Sequence, residues 1–119
     1  MRAKDETGRW GEAVAARYLT AVGLEVLDRN WRCELGELDI VARDGDAVVF
    51  CEVKTRTTTV FGDPAEAVHH RKATRIRVLA GRYLSEHPGA HAPDIRFDVV
   101  AVLRPVEGEP TLRHLRAAF

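Results

Sequence analysis

Several things are scarce in this sequence. It has two cysteines in 119 residues, too few for a disulfide scaffold or a four-cysteine zinc site. Cys33 and Cys51 therefore read as reduced thiols. Nine glycines and five prolines leave no collagen-like period and argue against disorder. No apolar run is longer than Ala47 to Cys51, which is strand length, far short of the ~18 residues a membrane span needs. The stretch Met1-Arg2-Ala3-Lys4-Asp5-Glu6 carries no apolar signal segment. The expectation is a cytoplasmic protein with no membrane partner. Charge of one sign is also lacking, since 18 Lys+Arg balance 18 Asp+Glu. That removes the simplest argument for a nucleic-acid partner without excluding one, because a sum is blind to position.

What is present fits a single domain over residues 1–119. A chain of this length buries roughly two-thirds of the surface it exposes when unfolded, and its 45% hydrophobic content is ordinary for a globular protein. Thr7 reads as a helix N-cap, followed by Trp10, Ala13, Val14, Ala16, Tyr18 and Val22 at helical spacing and closed by Gly23, which predicts a helix over 8–22. Residues 24–28 alternate as a short strand, and 29–36 read as a connector. Glu37 to Arg43 is a second strand, with Leu38, Ile40 and Ala42 on one face and Glu37, Asp39, Val41 and Arg43 on the other. Asp44-Gly45-Asp46 signals a hairpin turn. Ala47 to Thr55 is more apolar and so is expected at the centre of its sheet. Residues 56–63 read as a loop, and Pro64 suits a first helical turn. Ala73, Ile76, Leu79, Ala80, Tyr83 and Leu84 predict an amphipathic helix over 71–86. Further strands follow at 95–103 and 111–116, with a Pro/Gly turn between them. The order α-β-β-β-α-β-β gives an α/β fold, a mixed sheet flanked by helices.

Charges inside the strands carry the chemistry. Asp39 sits between Leu38 and Ile40, and Glu52 and Lys54, two apart on a strand, share a face. Desolvating carboxylates is costly unless a cation compensates. Two carboxylates converging with one ammonium can hold a divalent metal and leave the lysine for a phosphate or an attacking water. Whether Asp39 joins that face depends on the turn. With Asp44-Gly45 as a two-residue turn, Arg43 pairs with Asp46. Glu52 then lies opposite Glu37, with Asp39 opposite Phe50 and diagonal to Glu52. A plain three-residue loop would turn Asp39 away, so the expectation is even parity, or a bulge that restores it. The bland alternative is a cross-strand salt bridge on a half-exposed sheet.

The pattern Gly36-Glu37-Leu38-Asp39, twelve intervening residues, then Glu52-Val53-Lys54 resembles the PD-(D/E)xK signature of restriction-endonuclease-like nucleases. Leu38 replaces the proline, which ligates nothing. More closely, the chain resembles the YraN-like family of small uncharacterised bacterial proteins in that superfamily. The matching stretches are Gly11-Glu12-Ala13, Tyr18-Leu19, Arg29-Asn30, 36–39, Cys51 to Arg56, Phe61-Gly62-Asp63-Pro64, Glu66-Ala67-Val68, Lys72, Tyr83-Leu84, Arg96 to Val100 and Ala118-Phe119. The resemblance implies a restriction-endonuclease-like fold. It implies metal-binding Asp39 and Glu52 with the Val53 carbonyl, a catalytic Lys54 that positions water, and a catalytic Glu12 that reaches the metal or its water shell. Without the resemblance, Glu12 reads as a solvent-facing helix residue. Hard oxygen ligands favour Mg²⁺ or Mn²⁺ over zinc.

Weaker candidates are assigned to nucleic-acid binding. Arg56 leads into the threonine loop, and Arg71, Arg75 and Arg82 form a polar stripe on the second helix. Lys72 points toward that helix's apolar sector, where its stem either covers core or carries the ammonium to the edge of the active site. Asp98 reads as a packing or supporting carboxylate, and the histidines receive no catalytic role.

The functional expectation is a metal-dependent nuclease hydrolysing phosphodiesters in DNA, branched or otherwise structured DNA by analogy with junction resolvases. The alternatives are a nucleic-acid-binding accessory module without catalysis, and a protein-interaction domain. A homodimer would help so small a nuclease cut two strands, although no residue marks one. The zero net charge itself hides two patches. Residues 67–85 hold five Arg/Lys and no acid, and 34–52 hold six Asp/Glu against Arg43 alone.

Overall fold

A computed structural model of the chain describes residues 6–57, 70–90 and 94–119. Helix α1 (Glu6–Ala21) leads into strands β1 (Glu25–Cys33), β2 (Gly36–Asp44) and β3 (Ala47–Arg56). Helix α2 (His70–Glu86) and a short 3-10 turn (Pro88–Ala90) precede β4 (Asp94–Leu103) and β5 (Thr111–Leu115). The predicted order of elements holds. Pro64 and the threonine loop beyond Thr57 lie outside the described residues. Among the described residues, no helix is long and apolar enough to cross a membrane.

The strands form one sheet in the order β1-β2-β3-β4-β5, with β3 at its centre as its apolar sequence predicts. Every neighbouring pair is antiparallel except β3–β4, which runs parallel from Ala47/Asp94 to Arg56/Leu103. A parallel pair needs a crossover, and the chain between β3 and β4 contains α2. The helices take opposite faces of the sheet. Ala15, Ala16 and Leu19 of α1 pack on Ile40, Ala42, Val49, Cys51, Val100 and Val102. Ile76, Leu79, Ala80 and Tyr83 of α2 pack on Leu38, Val41, Val48, Phe50 and Phe97.

Local chemistry sets the boundaries. Helix α1 ends where Gly23 takes φ 102°. Its N–H bonds Thr20 O at 3.1 Å, and Leu24 N–H bonds Leu19 O at 2.9 Å, which is the Schellman closure expected of a C′ glycine. Thr7 lies inside the first turn of α1 rather than capping it.

Two sequence expectations need correction. The connector at 29–36 is mostly strand, because β1 continues to Cys33 after an irregularity between Val26 and Asp28. Leu38 also does not share a face with Ile40, since it packs under α2 and Ile40 packs under α1. Both β1 and β2 change face at the same place. Arg29 pairs with Ile40 and Trp31 with Leu38, while Asn30 and Asp39 drop out of the ladder. Asn30 takes φ 54°, a left-handed conformation that asparagine tolerates better than most residues. Strict alternation cannot reveal such a paired break.

The β2–β3 turn has the expected even parity but sits one residue later. Asp44 pairs with Ala47 and Arg43 with Val48, so Gly45-Asp46 is the two-residue turn. Gly45 supplies the positive φ, 57°, at its first position. The register is thus slid by two residues from the predicted one. The β2–β3 ladder ends at Ile40–Cys51, immediately before Asp39 and Glu52.

Candidate functional site

Burying a charge is costly unless something compensates, so each buried charge calls for a structural or a functional reason. Five charged side chains are buried among the described residues: Glu12, Asp39, Glu52, Lys54 and Asp98, all at or below 9% exposure. The first four line one cavity of about 480 Å³. It lies where β3 finishes, with Thr7 and Gly8 of α1, Glu37 of β2, Val53, Thr55 and Arg56 of β3, and Lys72 of α2 completing its wall.

The broken ladder positions Asp39. Its Oδ2 accepts the Val53 backbone N–H at 2.9 Å, which ties β2 to β3 beyond the Ile40–Cys51 pair. Glu52 and Lys54 follow on β3, with Lys54 Nζ 3.6 Å from Glu52 Oε1. The Lys72 ammonium of α2 forms an ion pair with the same oxygen. Lys72 thus reaches the cavity wall and does not serve only to cover core.

The electrostatics follow from this crowding. Burial, and then the charge of Asp39, push the Glu52 carboxyl above its ordinary value despite both lysines. Burial, and then the hydrogen bond with Lys72, pull Lys54 down to about 8. For Lys72, the downward pull of burial is outweighed by Glu52, and the ammonium is held above its ordinary value.

Glu12 comes from the opposite side, on α1. That helix approaches β3 closely because Gly11 presents no side chain. A Cβ there would lie 1.9 Å from Thr55 Oγ1 and 2.8 Å from Thr55 Cβ. Gly11 and Thr55 therefore set the distance at which Glu12 enters the cavity.

Among the described residues, no three His, Cys, Asp or Glu side chains gather as a metal cage. The donors are two strand carboxylates with Glu12 in the same wall, and Lys72 engages one of them. Hard oxygens of this kind suit Mg²⁺ or Mn²⁺. Of the predicted phosphate contacts, Arg56 lines the cavity, while Arg71 and Arg75 are exposed on α2 and are not among its lining residues. Sequence reasoning overlooked Thr7, Gly8 and Thr55. Their one legible signal was a glycine, Gly11, inside a helical pattern.

A model of the uncharacterised protein family UPF0102 matches residues 11–102. The chain belongs to that family. It is 60% identical to a UPF0102 protein of Frankia casuarinae over 119 residues, all of both chains. It is 62% identical to one of Frankia alni over 120 residues, 100% of this chain and 98% of the relative. A UPF0102 protein of Beutenbergia cavernae is 59% identical over 116 residues, 98% of each. These names state a family and no activity, so the function of this UPF0102 protein rests on its site.

Asp98, the fifth buried charge, has a separate structural task. Its two oxygens accept Arg96 Nε at 2.8 Å, Arg96 Nη2 at 2.9 Å, His114 Nε2 at 2.7 Å and the Ala117 N–H at 3.0 Å. Burial raises its pKa, but the bonds from Arg96 and His114 prevail and hold the carboxyl below its ordinary value. Arg96 Nη1 reaches on to Asp44 at 2.9 Å, and Tyr18 Oη lies 3.1 Å from His114 Nδ1. His114 is thus a buried structural partner, a role the sequence did not reveal.

Proposed function

We propose that this protein is a metal-dependent nuclease of restriction-endonuclease-like fold that hydrolyses phosphodiester bonds in DNA, with branched or otherwise structured DNA as the substrate class. One observation carries the reading: of the five buried charges among the described residues, four converge on one open cavity. An inert surface salt bridge does not account for that, since an exposed partner lowers a carboxyl's pKa, as Arg82 does for Glu34, whereas burial raises that of Glu52. The displaced pKa values of Glu52 and Lys54 fit a site organised for something else.

Asp39, Glu52 and the Val53 carbonyl are the residues that would hold Mg²⁺ or Mn²⁺, which would supply Lewis acidity toward a phosphoryl oxygen. Glu12 faces the same space for the water shell. Lys54 orients the attacking water and offsets negative charge in the transition state. With a pKa near 8, it can also exchange a proton close to neutral pH.

The test is incubation with Mg²⁺ or Mn²⁺ and a panel of duplex, flapped, junction and single-stranded DNA. Cleavage is expected, and Asp39→Asn and Glu52→Gln should each abolish it. Cleavage that survives both substitutions refutes the reading. The alternative, a nucleic-acid-binding accessory module, draws support from the small size, which leaves little room for a clamping domain. Salt-dependent binding without turnover would select it.

A further inference from the structure

The parallel pair β3–β4 ends at Arg56 and Leu103, and the next residue continues the ladder, with Arg104 N–H donating to Arg56 O at 2.8 Å. The two arginines therefore end adjacent central strands, Arg56 at the cavity and Arg104, one residue past the last pair, on the α1 side. Arg56 lines the cavity and has an exposed side chain. Its Nη1 bonds Thr55 O at 2.9 Å. The Arg104 guanidinium lies over the Trp10 ring, 4.8 Å from its centroid. Trp10 is three residues beyond Thr7 on α1, on the same side of the helix, and Thr7 lines the cavity.

These two arginines differ from others in the chain. Arg32, Arg82 and Arg96 are each bound to carboxylates. Among the described residues, neither Arg56 nor Arg104 is in an ion pair with a carboxylate. A guanidinium lying on an indole is pre-ordered, so less rotamer freedom is lost when it meets a ligand. Its forked donors suit phosphate oxygens, and successive phosphates along a strand match paired cations better than a single anion does.

We propose that Arg56 and Arg104, with Trp10 beneath the latter, form a phosphate-binding platform that carries a nucleic-acid strand away from the Asp39/Glu52 cavity over the first turns of α1. This rests on the nucleic-acid reading of the cavity. It adds the path of the strand and two residues, Trp10 and Arg104, to that reading. The ligand is single-stranded or locally unpaired, because an aromatic beside an arginine accepts unstacked bases and backbone rather than a closed duplex.

The experiment uses the intrinsic fluorescence of Trp10 in a Trp31→Phe background. Trp31 sits on the other face of the sheet, edge-on to Tyr83 at 5.4 Å. Oligothymidylate of about ten nucleotides, within the usual site size of single-strand binders, is titrated in EDTA so that no cleavage intervenes. The expected result is saturable quenching whose affinity falls with salt. Arg56→Gln and Arg104→Gln should each weaken binding several-fold and reduce the log–log salt slope by about 0.7, the contribution of one phosphate contact on a single strand. Arg104→Lys should keep the slope. Unchanged thermal melting of the variants shows that the fold is intact.

Binding untouched by either glutamine variant overturns the platform, as does absence of quenching. Polyglutamate competing as well as the oligonucleotide also overturns it and points to an acidic protein partner. The nuclease reading fails separately. Cleavage in Mg²⁺ with no effect of Arg56 or Arg104 on binding rejects the platform alone, and arginine-dependent binding without cleavage rejects the nuclease alone.

Discussion

Replacing Gly11 with alanine offers a sharp test of how α1 is seated. In an ordinary helix interior this change is favourable by about 0.8–1.0 kcal/mol, because alanine is the better helix former. Here the new methyl would stand 1.9 Å from Thr55 Oγ1 and 2.8 Å from both Cβ and Cγ2 of Thr55. Rotating the threonine moves Oγ1 and Cγ2, but its Cβ is fixed to the central strand, so the helix must move instead. Overpacking of this kind costs about 1–3 kcal/mol. With the propensity gain subtracted, Gly11→Ala should destabilise by up to about 2 kcal/mol, a fall in Tm of up to roughly 10 °C for a domain of this size. Urea denaturation followed by circular dichroism measures it. Thr55→Ala removes two of the three clashing atoms, so the double variant should be less destabilised than the sum of the singles, with a coupling of at least about 0.5 kcal/mol. A Gly11→Ala protein more stable than wild type would refute the close approach, and with it the placement of Glu12.

Three further outcomes follow from the same geometry. Asp98→Asn leaves Arg96 and His114 without their buried anion and should cost about 3–5 kcal/mol, a drop of roughly 10–25 °C in thermal melting. Because the folded pKa of Asp98 is depressed, its contribution is present above the unfolded carboxylate range and is lost as pH falls through the folded value. Lys54 runs the other way. Its folded pKa of about 8 lies below the ordinary 10.5, so the burial cost is full below pH 8 and is relieved as pH climbs toward 10.5. Denaturation midpoints of wild type and Lys54→Met should therefore converge over that window, and a constant gap would contradict the assignment. Lys72→Met removes a partly exposed partner of Glu52 worth on the order of 1 kcal/mol. It should tighten divalent-metal affinity by about five- to tenfold in calorimetry, and weaker binding would show that Lys72 supports the site rather than competes with the metal.

The order of elements and the central place of β3 were legible because periodicity and apolar content report burial directly. The Asp39/Glu52/Lys54 convergence was legible through turn parity, although the true turn is Gly45-Asp46 and the register differs by two residues. Parity survives a slip of two residues, which preserves the facing of every side chain. Three things were hidden. The simultaneous break at Asn30 and Asp39 leaves no pattern in either strand read alone. The Asp98–His114 pair joins residues on neighbouring strands whose spacing resembles no motif. Lys72 points toward the apolar sector of α2, where helical geometry alone does not decide between covering core and reaching Glu52.

The central claim is that Asp39 and Glu52 form a divalent-cation site. Calorimetric titration of Mn²⁺ into wild type and Asp39→Asn, with melting curves confirming that both are folded, tests it directly. A saturable one-site isotherm in wild type that disappears in Asp39→Asn is the predicted result. No binding heat in wild type, or the same isotherm in both proteins, would contradict it.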